Sequence, residues 1–249
     1  VTHNAEYTKD YNRKQVLKLL LGGRLSRAEL ARKTGLTRAA ISVIADELLA
    51  EGMVKETAGE SAVSFKGRSP TPLELCPGAA YAVGAYLCRD GCRMGLVNLR
   101  GEVSCPRALS SEEIRRPETA IGRMAALTGE ILAESGVPSE KLLGLGVSCP
   151  GPVDANAGRL LDPPGFEEWH RVEVAGLLAE RTSLDTRIEN NAYSLALNEK
   201  IYGSARELED FMLLLVDTGV GSGLISHGRL FVGAHGFSGE IGHTSIRFD

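Results

Sequence analysis

Hydrophobic positions in residues 12–21 (Val16, Leu17, Leu19 and Leu20) fall at helical spacing, and Gly22-Gly23 closes the segment. Ser26-Arg-Ala-Glu29 then reads as a capping box, in which the serine hydroxyl accepts the third helical N–H and the glutamate reaches back. This predicts a short helix running to about Thr34, ended by Gly35 in the left-handed conformation. After the turn at Gly35-Leu36, Thr37 caps another helix that places Ile41, Ile44, Leu48 and Leu49 on one face and ends near Gly52. Met53, Val54 and Lys55 begin an alternating stretch, residues 59–67 read as a hairpin tip, and Leu73-Glu-Leu75 reads as the return strand.

The texture changes from Ala79 onward. Tyr81–Leu87 and Arg93–Leu99 are apolar runs of strand length around a turn at Asp90-Gly91, and Gly101–Val103 continues the pattern. Pro117–Ser135 is amphipathic, with Ile121, Met124, Leu127 and Ile131 on one side. Leu142–Val147 reads as a buried strand, Arg187–Glu189 as a short one, and a helix follows through Leu195 and Leu197 to Tyr202. Phe211–Val216 is a further strand, leading into Asp217-Thr-Gly-Val-Gly-Ser-Gly223. Strands first clustered and then alternating with helices predict an α/β architecture.

Composition alters this picture little. With 43% hydrophobic and 24% charged residues in 249, the chain reads as globular, with room for two domains. It contains no run of about 18 apolar residues. The first thirty residues, which include Glu6, Lys9, Asp10 and Arg13, lack the apolar core of a signal peptide, so the expected location is cytoplasmic, with no membrane partner. Five cysteines (Cys76, Cys88, Cys92, Cys105 and Cys149) show no C-x-x-C spacing and form neither a disulfide framework nor a zinc site. Charge, however, is unevenly divided. Up to Leu75 there are 12 Lys+Arg against 9 Asp+Glu, and beyond it 16 against 23, which gives +3 and −7. A basic head on an acidic body suits a small DNA-binding domain joined to something else.

Two short helices around a glycine-containing turn form a helix-turn-helix, and the basic hairpin after them is a wing. The first turns of the second helix, with Thr37, Arg38, Ala40 and Ser42, are then free to meet base edges, and Ser26 and Arg68 (the latter in the wing) belong to the same expected DNA-facing set. The competing reading is a three-helix module that docks on protein. Further along, Gly219, Gly221 and Gly223 would let backbone amides approach a phosphate, or would simply make a tight hairpin.

The run Gly228-Arg-Leu-Phe-Val-Gly-Ala-His-Gly-Phe-Ser-Gly-Glu-Ile-Gly-His243 adds a resemblance. With Gly146-Val-Ser-Cys-Pro-Gly151, Glu189-Asn190 and Gly219–Gly223, it resembles the ROK family of repressors, open reading frames and sugar kinases, most of all its xylose-repressor-like branch. The resemblance implies a winged helix-turn-helix over 1–76 and, over 77–249, an actin-like, ribonuclease H-like sugar-kinase domain with an incomplete second lobe. It implies that Asn190, Asn191, Glu240 and His243 hold sugar hydroxyls, a task suited to amide, carboxylate and imidazole groups.

The departures from the kinase pattern point away from catalysis. Asn191 stands where the kinases carry their proton-abstracting Asp, and an amide cannot serve as a general base. Tyr86 and Cys88 occupy the place of the first phosphate loop, which leaves Gly219, Gly221 and Gly223 as a vestigial one. The family's zinc-binding Cys segment lies past Asp249, so His243 would bind metal only in a longer form, and no cofactor is expected for this chain. The implied function is a homodimeric or larger repressor of carbohydrate genes that binds operator DNA and answers to a sugar or sugar phosphate. An ATP-dependent sugar kinase with an appended DNA-binding head is the alternative. A third reading is a regulator governed by a docked transport protein. Trp169 is expected in a loop near the cleft.

Overall fold

A computed structural model describes residues 2–57, 71–234 and 236–245. The fold divides into a unit of Val1–Ala80 with Asn98–Arg100 and a unit of Tyr81–Val97 with Gly101–Asp249.

The first unit runs α1 (Thr2–Leu21), β1 (Leu25–Ser26), α2 (Arg27–Thr34), α3 (Arg38–Ala50), β2 (Val54–Glu56) and β3 (Pro72–Leu75). Helix α1 starts ten residues before the Asn12 expected from the apolar spacing. Charged pairs engage it ahead of its core residues: Lys9 Nζ lies 2.7 Å from Glu47 Oε1, and Arg13 Nη1 donates to Glu51 Oε1 at 2.6 Å. Both carboxylates belong to α3 or its C-terminal cap, so these pairs tie the two helices together. Gly35 takes φ +73° and its N–H returns to the Ala31 carbonyl at 3.0 Å, which ends α2. Val16, Leu20, Leu30, Ile41, Ile44, Leu48, Val54 and Leu73 form the core beneath. β3 lies between β1 and β2, antiparallel to both, with Lys55 opposite Glu74. The tip expected over 59–67 lies outside the described residues.

The second unit opens with β4 (Tyr81–Cys88), β5 (Gly91–Asn98), β6 (Val103–Ser110) and α4 (Pro117–Ser135). It continues with β7 (Leu142–Cys149), β8 (Val153–Asp154), β9 (Arg159–Leu160), α5 (Val174–Thr182), β10 (Thr186–Asn190) and α6 (Asn191–Ile201). β11 (Phe211–Val216), β12 (Val220–Ser226) and β13 (Arg229–Leu230) complete it. The main sheet has the order β10-β7-β4-β5-β6, with β10, β7 and β4 parallel and β5–β6 antiparallel. Val83, Ala85, Leu87, Leu145, Val147 and Ile188 point to one face, where they share a core with Ile121, Met124 and Ile131 of α4 and Val174 and Leu178 of α5.

The sheet β11-β12-β13 is antiparallel and lies against α6. Its register explains the close approach of that helix. A Cβ at Gly223 would sit 2.5 Å from both the Ala192 carbonyl oxygen and the Ala196 Cβ, so α6 crosses β12 at a point only glycine leaves open.

Candidate functional site

Two features gather the chemistry, one in each unit. The first is the exposed side of α3. Three residues, Gly35 to Thr37, separate it from α2, and the Thr37 hydroxyl accepts the Ala40 N–H at 3.2 Å as its cap. Thr37 and Arg38 are exposed, whereas Ala40 and Ser42 are half-buried. Arg38 makes no ion pair among the described residues, so its guanidinium is free to meet an outside anion or base. Val43, which the sequence reading passed over, is 56% exposed on the same helix. The signal was present: position 43 lies off the face shared by Ile41, Ile44 and Leu48. Asp46, further along, is held by Arg27 at 2.8 Å, and Arg27 also reaches Glu56 at 3.1 Å.

Ser26 does not belong in the DNA-facing set. It is buried, with its hydroxyl donating to Glu29 Oε2 at 2.7 Å and accepting the Glu29 N–H at 3.3 Å, so the capping box consumes it. The Ser26 backbone N–H, 2.8 Å from Glu29 Oε2, and then the Ser26 hydroxyl hold the Glu29 carboxyl below the ordinary range. Arg68 lies outside the described residues.

The second feature is a cavity of about 770 Å³ in the second unit. Its walls are the end of β4, the turn Pro150–Pro152, the start of α6, the hairpin joining β11 to β12, and the segment from Glu240 to His243. The cavity brings together Asn190, Asn191, Glu240 and His243. Asn190 caps α6, its Oδ1 accepting the Ala192 N–H at 2.8 Å. Its Nδ2 faces Gly151, where a Cβ would collide with it. Asn191 is buried and its side chain is engaged on both sides: Oδ1 accepts from Ser148 Oγ at 2.6 Å and Nδ2 donates to the Leu87 carbonyl at 3.0 Å. Glu240 and His243 have side chains 42% and 80% exposed and stand 3.9 Å apart.

Tyr193, also unforeseen, anchors the loop that carries them. From the buried side of α6 its hydroxyl lies 2.7 Å from the Ser238 carbonyl oxygen and 3.1 Å from that of Gly236. Ser222 Oγ of β12 holds the next residue, donating to Gly239 O at 2.6 Å. Burial pushes the Tyr193 phenol above its ordinary pKa, which keeps it protonated and able to donate.

The structure also places the hairpin glycines, Trp169 and the possible metal ligands. Gly221 and Gly223 lie within β12, opposite Leu215 and Leu213, and Val216 pairs with Val220. Of the three glycines expected in a phosphate loop, only Gly219 therefore falls in the connection, which is a tight hairpin. The glycine at 223 answers to helix packing, not to a ligand. Trp169 is fully buried, donates Nε1–H to the Ile114 carbonyl at 2.9 Å and stacks edge-on with Phe166 at 6.1 Å. It is a core residue that does not line the cavity, although Asp162 and Pro164 from the same loop do. For a metal, the described residues offer no convergence of three His, Cys, Asp or Glu side chains. His243 with Glu240 alone does not fit a tetrahedral zinc site.

The sequence profile of the ROK family matches residues 93–249, and that of a winged helix-turn-helix DNA-binding domain matches residues 9–55. The chain belongs to the ROK family. Among curated ROK relatives, the xylose repressor of Caldicellulosiruptor bescii is 30% identical over 98% of this chain and 61% of its own length. The DNA-binding transcriptional dual regulator NagC of Escherichia coli is 28% identical over 98% of this chain and 59% of its own. The chain thus spans about three fifths of the length of the relatives it matches. A solved ROK family transcriptional regulator, a homologue of the E. coli MLC protein, superposes with a TM-score of 0.76 at 25% identity, over 96% of this chain and 60% of that one. A ROK glucokinase from Streptomyces griseus shares the fold at a TM-score of 0.60 and 20% identity, over 68% of this chain and 51% of the other. The second unit therefore has the sugar-kinase-like, actin-type fold, preceded by a winged helix-turn-helix. Among the described residues no helix is long and apolar enough to cross a membrane.

Proposed function

We propose that this ROK chain is a DNA-binding repressor of carbohydrate-utilisation genes, controlled by a sugar-type effector in a non-catalytic kinase-like cavity. The reading is carried by one conjunction: a helix-turn-helix with a free Arg38 shares a chain with a cavity lined by Asn190, Glu240 and His243. Amide, carboxylate and imidazole groups match the alternating donors and acceptors of a polyol. The relatives named as repressors of xylose and N-acetylglucosamine genes support it.

The protein acts on operator DNA in the cytoplasm as a homodimer or larger assembly, so its site is a palindrome. Effector and operator are coupled because the effector prefers one of two conformations of the repressor. Catalysis is absent from this reading because position 191 offers an amide bonded on both sides, with no base to take a hydroxyl proton. A zinc site at His243 would need further ligands beside it.

The test is fluorescence anisotropy on DNA from upstream of carbohydrate genes, with ATP and a panel of sugars added. Sequence-specific binding, released by one sugar and indifferent to ATP, is the expected result. ATP-dependent phosphorylation of any sugar in the panel would instead establish a kinase with a DNA-binding head. Absence of binding to any DNA at any salt concentration would sink the repressor reading.

A further inference from the structure

We propose that the cavity selects an uncharged sugar over the phosphate ester of the same sugar; the inference rests on the effector reading above and narrows it. Its first support is the charge on the walls. Asp162, Asp217 and Glu240 all line the cavity, and Arg89 supplies the one guanidinium or ammonium group among the described lining residues. That guanidinium is engaged: Nε and Nη2 both donate to the Pro164 carbonyl, at 3.2 and 2.7 Å. A phosphate dianion would meet three carboxylates against that single guanidinium, which stays charged but is turned toward Pro164, and an excess of like charge at close range opposes binding. A hydroxyl donates to the same carboxylates.

The second support is that the start of α6 and two of the three hairpin glycines are committed within the fold. At the start of α6, Asn190 Oδ1 already takes the Ala192 N–H. Gly221 and Gly223 are strand residues paired with β11, with α6 packed close over Gly223. The aromatic group at the end of β4 adds nothing for an anion. Tyr86 is half-buried, and burial together with the charges of Cys88 and Asp217 raises its pKa. Among the described residues the imidazoles at the cavity or its rim are His243, 3.9 Å from Glu240, and His170, whose Nδ1 lies 2.9 Å from Asp162, a bond that raises its pKa. Each, when protonated, would offset one carboxylate.

The experiment is calorimetry with the full chain at about pH 9, above an ordinary imidazole and with room for the raised His170. Matched pairs are titrated: D-glucose against glucose 6-phosphate, N-acetylglucosamine against its 6-phosphate, and D-xylose against xylose 1-phosphate. In the pair that binds, the neutral member is expected to bind at least about tenfold more tightly. Asp217→Asn and Asp162→Asn are each expected to narrow that gap, because each removes one opposing charge. An ester that binds as tightly as its sugar, or more tightly, overturns the inference and leaves the sugar-effector reading standing. A gap unchanged in both variants overturns the electrostatic origin proposed. Failure of every pair to bind, with DNA binding intact, removes the sugar-effector reading and this inference together.

Discussion

Asn191 shows how a single polar residue can be committed to the fold. Its amide presents an acceptor to Ser148 and a donor to the Leu87 carbonyl, an assignment a carboxylate cannot reproduce. In Asn191→Asp, one ionised oxygen would face the Leu87 carbonyl in a buried site, at a cost of about 1–3 kcal/mol at neutral pH. The introduced carboxyl would have a raised pKa in the folded state. Its penalty is therefore present above that pKa and relieved as the pH falls through it, when the protonated acid can donate to Leu87. Urea denaturation at pH 7 and pH 5 should show the variant recovering stability relative to the parent at the lower pH. Equal destabilisation at both values would mean that the Leu87 bond carries no weight. The same substitution should yield no sugar phosphorylation. The resemblance alone supplied the identity of Asn190, Asn191, Glu240 and His243; what each bonds to depends on backbone atoms far away in sequence, and no local spacing encodes that.

Elements with strong end signals were legible, and those without were not. α4 has Pro117 at its first turn and Gly136 with φ +61° at its end, and its sequence-derived bounds match the structure. α2 has both a capping box and a stop glycine. Ser26→Ala would remove the hydroxyl that serves Glu29 N–H and should lower the stability of the first unit by about 1 kcal/mol, seen as an earlier melt. An unchanged melting temperature would show that the box adds nothing. α5 went unread because Glu173 provides no side-chain cap and Gly176 interrupts its short apolar pattern. The sequence leaves Gly219–Gly223 open between a phosphate loop and a tight hairpin because alternate glycines are poor strand formers. Of these, Gly223 is required by the helix packed on it, a tertiary demand that overrides local propensity.

At the scale of the whole molecule, acid should weaken both units. Glu29 and Glu51 in the first, and Glu113, Glu134 and Asp210 in the second, are held below their ordinary pKa by hydrogen bonds from Ser26, Arg13, Ser110, Arg107 and His227 respectively. A depressed carboxyl contributes stability above its unfolded pKa, and that contribution is lost as the pH falls through the folded one. Glu189 runs the other way: burial raises its pKa, so its ionisation costs stability above that value. Five groups against one predict a melting temperature that declines from about pH 5 downward. A flat profile between pH 5 and pH 3 would show that these bonds do not persist in solution.

The glycine under α6 has a further consequence, best put in genetic terms. Gly223→Val would push α6 away from β12 and, through Tyr193, disturb the loop that presents Glu240, while leaving every residue of the helix-turn-helix unchanged. On the repressor reading proposed above, such an allele should behave in a cell as a super-repressor, silent in an operator-binding screen and recognisable only because the regulated genes no longer respond to a sugar.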